Sequence, residues 1–388
     1  MLRALYYLMT LAVVLLLSAR LITAQHDKPE DNSSAGERNP NFSSIEYYRS
    51  IYRDSRAALE LAQDKGLMPE WREKVARSLY GVLGLANSRP VPLNPKVTFL
   101  GQRKGYRIER VVFSSERYAD VPALMLIPDG VSAENPAPAV LCLHGNVPGA
   151  KEELAGETGL NPLAAEGLAL YNDDYARDLA QRGFITFAID LRDSGERKHW
   201  EPYVGPSGWD WREISGLMAI PLGRTYLGLC VFDAMRALDY LETRPEVRKD
   251  AIAAVGFSAG ATLTAWLSVL DRRVKVAGIS GTATPSRAAS GPSAHRRQPS
   301  GMIPGIYLDL DWDLCVAAIV PTPLVMVYEY RDNVERAKVM TAKIGQAYER
   351  FGAADKLKLE YASGGHVWHG KIVVPFVETR LRALKTSQ

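Results

Sequence analysis

From Tyr106 to the C-terminus the chain alternates short apolar runs with longer stretches of helical spacing. Ile108 to Ser114 and Val121 to Ile127 flank a polar turn, which predicts an antiparallel pair of strands. Pro138 to Leu143 and Phe184 to Ile189 are continuously apolar, as strands buried on both faces must be. Ala251 to Phe257, Val274 to Ile279, Leu324 to Tyr328 and Leu357 to Tyr361 read as further strands. Helical spacing marks Asp174 to Arg182, Gly223 to Glu242, Val334 to Phe351 and Val373 to Leu384, with Pro245 closing the second. Strands alternating with helices imply parallel βαβ units. The expected fold is α/β: a mostly parallel, doubly wound sheet over residues 101–388 with helices on both faces. Upstream, Ile51, Leu59 and Leu61, then Trp71, Val75, Leu79 and Leu83, recur at helical spacing. Pro69 suits a first helical turn, and residues 45–100 read as an N-terminal helical extension.

The first residues change the picture by suggesting an address. Arg3 precedes an apolar run from Ala4 to Leu17, and small residues follow, with Ala24 the expected cleavage point. Residues 1–24 therefore read as a signal peptide, and 25–44 as a polar linker holding Pro29, Gly36 and Pro40. The expectation is a secreted or periplasmic protein with no stable membrane association once the signal is removed. An uncleaved anchor flanked by Arg20 is the alternative. Of 388 residues 47% are hydrophobic, enough for a large core, and 47 Lys+Arg against 44 Asp+Glu leave a net charge of +3. So small an excess, spread along the chain, argues against nucleic acid as a partner. Three cysteines, Cys142, Cys230 and Cys315, lie in apolar stretches and read as buried free thiols.

Candidate chemistry centres on Ala251 to Leu263, where a strand pattern ends in Gly256-Phe257-Ser258-Ala259-Gly260 and a helix pattern starts. A serine on a sharp strand-to-helix turn, with glycines admitting close backbone, is a nucleophile elbow. The helix start aims N–H groups at any oxyanion formed there. After the strand ending at Leu143, His144-Gly145-Asn146 offers a second donor. The expected oxyanion hole is the backbone of Asn146 and Ala259. Of six histidines, His366 follows the last strand through Gly364-Gly365 and suits a general base, while His369 reads as a helix-start residue. The acid should follow a late strand: Asp332 is preferred, Glu329 is second, and Asp332 could also cap the helix beginning at Val334.

Several segments carry a resemblance over roughly Trp71 to the C-terminus: Trp71-Arg72-Glu73-Lys74, the HG turn, and Asp190-Leu-Arg-Asp-Ser-Gly-Glu-Arg197. Leu227-Gly228, Arg244-Pro245-Glu246-Val247, Ile303-Pro304-Gly305, Asp332 and Gly364-Gly365-His366 continue it in order. The chain resembles a secreted, acetyl xylan esterase-like branch of the α/β-hydrolase superfamily, related to dienelactone hydrolases. That resemblance implies an α/β-hydrolase fold and a triad of Ser258, Asp332 and His366. Two departures stand out. The family usually has a glycine shortly before the acid, where this chain has Glu329-Tyr330-Arg331, and Gly-Phe or a similar pair where this chain has Asp193-Ser194. Dienelactone hydrolases use a cysteine nucleophile, and here the residue is Ser258.

An aromatic-rich insert with Trp200, Tyr203, Trp209 and Trp211 lies between the strand at Ile189 and the long helix. Trp200, Trp209 and Trp211 are candidate substrate contacts that could stack on sugar faces or line an acyl pocket. They could equally pack a lid onto the sheet. A basic loop, Thr284 to Ser300, carries Arg287, His295, Arg296 and Arg297, and reads as a solvated face. No cofactor is expected, since no glycine-rich phosphate loop stands at a strand end, and no metal, since His366 and His369 lack a third ligand at helical spacing. The expected function is a serine carboxylic-ester hydrolase acting on a small-molecule or carbohydrate ester through an acyl-enzyme. The alternatives are a serine peptidase on the same fold and a non-catalytic binding protein.

Overall fold

Ala139, Leu141 and Leu143 point to one face of strand β4 (Ala137–Leu143), and Val140 and Cys142 to the other. Both sets are buried, so an uninterrupted apolar run is what the position requires. This computed structural model describes residues 42–54, 59–62, 65–199, 211–282, 301–330, 334–363 and 365–384. The expected signal peptide, nearly all of the linker, Trp200, Trp209, the basic loop and Asp332 lie outside those residues. Ile45–Gln388 forms one compact unit, and the description below concerns it.

Nine strands make one sheet in the order β1-β2-β3-β5-β4-β6-β7-β8-β9. Strands β1 (Lys96–Arg103), β2 (Tyr106–Glu116), β3 (Ala119–Pro128) and β5 (Ile185–Ile189) pair antiparallel in that succession. The remaining pairings are parallel and join β5, β4, β6 (Val247–Phe257), β7 (Val274–Thr282), β8 (Leu324–Tyr330) and β9 (Leu357–Ser363). The predicted antiparallel pair is β2 and β3. Strand β1 begins at Lys96, inside the stretch expected to be a helical extension. Its alternate residues are largely exposed at the sheet edge, which left little apolar periodicity to read.

Ten helices position the site and its supports, and we label these α1 (Met68–Val82), α2 (Ala150–Ala155), α3 (Leu163–Tyr171), α4 (Tyr175–Gln181), α5 (Trp211–Ala219), α6 (Tyr226–Thr243), α7 (Ala259–Leu270), α8 (Trp312–Ala317), α9 (Val334–Phe351) and α10 (Gly370–Ala383). One face of the sheet is covered by α1, α6, α7, α8 and α9, the other by α2, α4 and α10. The doubly wound architecture is as expected. All three cysteines are buried and free. Among the described residues no single helix is long and apolar enough to cross a membrane.

Several segments that carry the family resemblance hold this frame together. Trp71 and Arg72 of α1 are buried, and the Arg72 guanidinium donates to the carbonyls of Val320 at 2.9 Å and Val269 at 3.2 Å. Burial lowers Arg72 to about 10. A Cβ on Gly228 would stand 2.0 Å from the Leu83 carbonyl oxygen, so only glycine lets α6 approach α1's end so closely. Thr225 caps α6, accepting from the Gly228 N–H at 2.9 Å while donating to the Leu83 carbonyl at 3.0 Å. Asp190 is wholly buried and accepts from Lys151 Nζ at 2.8 Å and the Glu196 N–H at 2.9 Å. Two residues on, Arg192 meets Asp233 through Nε and Nη2, each at 2.9 Å, and Arg197 reaches the same carboxylate at 2.8 Å. The motif from Asp190 to Arg197 is thus a charged clamp fastening the segment after β5.

Candidate active site

Strand β6 delivers Ser258 on a turn with φ 57° and ψ −117°. That conformation is sterically costly for a residue with a Cβ, by about 1–3 kcal/mol, and persists only where neighbours over-determine it. They do so here. A Cβ on Gly256 would lie 2.2 Å from the Gly260 carbonyl oxygen, and one on Gly260 would lie 1.9 Å from that of Leu143. Both glycines are therefore required by close backbone. The Ser258 N–H donates to the Ser280 carbonyl at 3.0 Å, which stitches the turn to β7. Helix α7 then begins at Ala259, and its first N–H groups have no partner within the helix.

The HG turn lies directly against this serine, since a Cβ on Gly145 would come within 2.9 Å of Ser258 Cβ. His144 is fully buried and structural. Its Nε2 accepts from the Leu191 N–H at 3.0 Å, so Nδ1 carries the proton and donates to the Gly145 carbonyl at 2.6 Å. Burial depresses its proton affinity, which keeps the ring neutral. The ring thereby holds the loop that presents Asn146. Asn146 Oδ1 also accepts from Arg212 Nη1 at 2.7 Å, a contact from α5 with no signature in the sequence.

His366 Nε2 lies 2.8 Å from Ser258 Oγ, and its Nδ1 lies 2.5 Å from Glu329 Oε2. With the carboxylate accepting, Nδ1 holds the proton and Nε2 is free to accept from the serine hydroxyl. Phe257 packs on the imidazole at 4.7 Å between ring centroids, and Tyr171 meets it edge-on at 6.4 Å. Burial works against ionising Glu329, but hydrogen bonds from His366 and then His369 outweigh it and hold the carboxyl at about 2. The His366 side chain stays 46% exposed, so the base is reachable from solvent.

The expected acid, Asp332, lies outside the described residues; among those described, the carboxylate that meets His366 is that of Glu329, the second choice of the sequence reading. Strand β8 runs two residues past its predicted end, pairing Glu329 with Ala362 and Tyr330 with Ser363 of β9. Alternate strand residues share a face. Val325 and Val327 face the layer that contains α10, and Glu329 continues that set, while Met326 and Tyr328 face the opposite core. That parity was the available signal for Glu329.

His369 does stand at the start of a helix, as the residue preceding α10. Its ring, however, also reaches Glu329. Trp211 opens α5, half-buried, with its ring edge-to-face against His199 at 4.1 Å. No group of three or more potential metal ligands occurs among the described residues.

A mostly parallel sheet with a strained serine at the end of β6 and a histidine after β9 is the architecture of an α/β-hydrolase. The chain belongs to the Abhydrolase family, whose model matches residues 39–362. It is 26% identical over 206 residues to YtaP of Bacillus subtilis, described provisionally as a hydrolase, a match spanning 53% of this chain and 62% of that one. The chain thus spans less than two thirds of that relative. Among solved structures, a protein of Bacteroides fragilis described provisionally as an acetyl xylan esterase superposes with a TM-score of 0.70 at 23% identity, over 84% of each chain. A glucuronoyl esterase from Solibacter usitatus superposes with a TM-score of 0.59 at 15% identity, over 84% of this chain and 96% of that one. At these identities the likeness is one of fold.

Proposed function

We propose that the protein is an exported serine esterase that hydrolyses carboxylic esters, carbohydrate esters first among them, through a triad of Ser258, His366 and Glu329. The observation that carries this reading is the relay in which His366 bonds Ser258 Oγ at 2.8 Å through one nitrogen and Glu329 through the other. His366 Nε2 takes the hydroxyl proton as Ser258 Oγ attacks the ester carbonyl carbon. The tetrahedral oxyanion sits between the backbone N–H groups of Asn146 and Ala259, each worth about 10²–10³ in rate. The His366 imidazolium returns its proton to the departing alcohol, leaving the acyl group on Ser258. Water then attacks with His366 again as base, and the acid departs. Glu329 remains ionised throughout, fixing the tautomer and stabilising the imidazolium.

A strained serine supports turnover over a binding role, because a binding site gains nothing from that backbone conformation. Carbohydrate esters are favoured by the esterases of similar fold, and Trp211 with Trp200 and Trp209 would supply rings for sugar faces. Export rests on residues 1–24 as a signal peptide. The test is hydrolysis of nitrophenyl acetate and butyrate, then acetylated xylo-oligosaccharides, by the purified protein beside Ser258→Ala. Turnover that vanishes in the mutant is the expected result; activity that survives it ends the proposal.

A further inference from the structure

Glu329 is met by two imidazoles. His366 takes Oε2, and His369 Nε2 lies 3.1 Å from Oε1, where the Val367 N–H adds a longer contact of 3.4 Å. A carboxylate can only accept, so His369 Nε2 carries its proton toward Glu329. The His369 backbone is itself pinned, its N–H donating to Ser280 Oγ at 3.1 Å. Ser280 is fully buried on β7, and its carbonyl accepts the Ser258 N–H at 3.0 Å. One residue therefore ties the backbone of the serine turn to the backbone of His369. A Cβ at Gly281 would meet Phe257 at 2.4 Å and come within 3.2 Å of Glu329 Oε1, so the glycine leaves room for both side chains and the hold on that oxygen comes from its hydrogen bonds.

Resting on the triad reading, we propose that His369 is a positioning residue whose Nε2–H locks the Glu329 carboxylate in the rotation that serves His366. An unheld carboxylate could turn about its terminal torsion, which is soft and roughly two-fold. Oε2 would then leave the axis of the Nδ1–H bond, and both the tautomer and the stabilisation of the imidazolium would suffer. His369 stays outside the reacting atoms and works through Glu329 alone. Partners that orient a functional histidine from behind are worth about 10- to 100-fold, as measured at metal sites.

The experiment uses the full chain and the rate at which a fluorophosphonate probe labels Ser258, together with kcat and KM on nitrophenyl acetate. His369→Leu should slow labelling and lower kcat by about 10- to 100-fold with KM unchanged. His369→Gln, whose amide nitrogen can reach the place of Nε2, should recover most of the loss; the shorter His369→Asn should not. In a Glu329→Ala background His369→Leu should cost nothing further. If His369→Leu prevents folding, the contrast between His369→Gln and His369→Asn carries the test. Wild-type rates in His369→Asn, or an equal loss with Glu329 already removed, would overturn the assignment. Labelling that persists in Ser258→Ala would instead overturn the triad reading beneath it.

Discussion

Two clusters of charge stand near strand ends on this sheet, and they are built differently. Around Asp190, Lys151 Nζ is fully buried and bonded to Asp190 at 2.8 Å, to Glu196 at 2.9 Å and to Glu152 at 2.6 Å. Burial opposes ionising Glu196, yet hydrogen bonds from Arg110 and Lys151 carry it down to about 2. Around Glu329 the carboxyl is held equally low, also against burial. The clamp's central partners are out of solvent and mutually bonded. The relay keeps one end open, since His366 is half-exposed and its Nε2 faces a hydroxyl. What separates the structural cluster from the one proposed to be catalytic is that the latter's histidine faces a hydroxyl whose proton it can accept.

Substitutions would sharpen that contrast, beginning with the largest effect. Ser258→Ala should lower ester turnover by about 10⁶-fold with the thermal midpoint little changed, as for other triad serines. Glu329→Gln should lower kcat by about 10⁴-fold through the wrong tautomer, measured on nitrophenyl acetate. Asp332→Asn should leave kcat close to wild type; the reverse outcome would return the acid role to Asp332. Lys151→Met strands Asp190 without its buried partner and should cost about 3–5 kcal/mol in urea unfolding. The folded fraction should keep its kcat, and loss of kcat without loss of stability would break the comparison.

Acid should loosen both clusters over the same window, and a substitution isolates the smaller part that belongs to Glu329. A carboxyl held at about 2 against an ordinary value of 4.5 contributes stability that is full above the ordinary value. That contribution is lost as pH falls through the folded value, between about 4.5 and about 2. Urea midpoints across this window should fall more steeply in wild type than in Glu329→Gln. The slope difference is the quantity to measure.

Much of this was legible before folding. The apolar runs at Pro138 to Leu143 and Phe184 to Ile189 had to be strands with two covered faces, and they are. The helix at Val334–Phe351 appears with the bounds its periodicity predicted. Gly256 and Gly260 announced close backbone, and His366 stood after the last strand. Strand β1 was missed because its side chains are mostly exposed and leave no pattern. The end of β8 was missed because Tyr328-Glu329-Tyr330 turns polar where the sheet opens to the site.

The sequence alone determined the layers, the serine on its turn and the histidine that reaches it, because each follows from local pattern and chain order. Which carboxylate meets His366 was decided only by tertiary structure. Glu329 and Asp332 are chemically similar and three residues apart, and strand parity points to Glu329 only once β8 is known to run through Tyr330. The choice came from β8 pairing two residues further along β9, which aims Glu329 at the imidazole, and from His369 arriving on the other oxygen. Register and packing across distant segments carry that information, and neither is written in any single stretch of the chain.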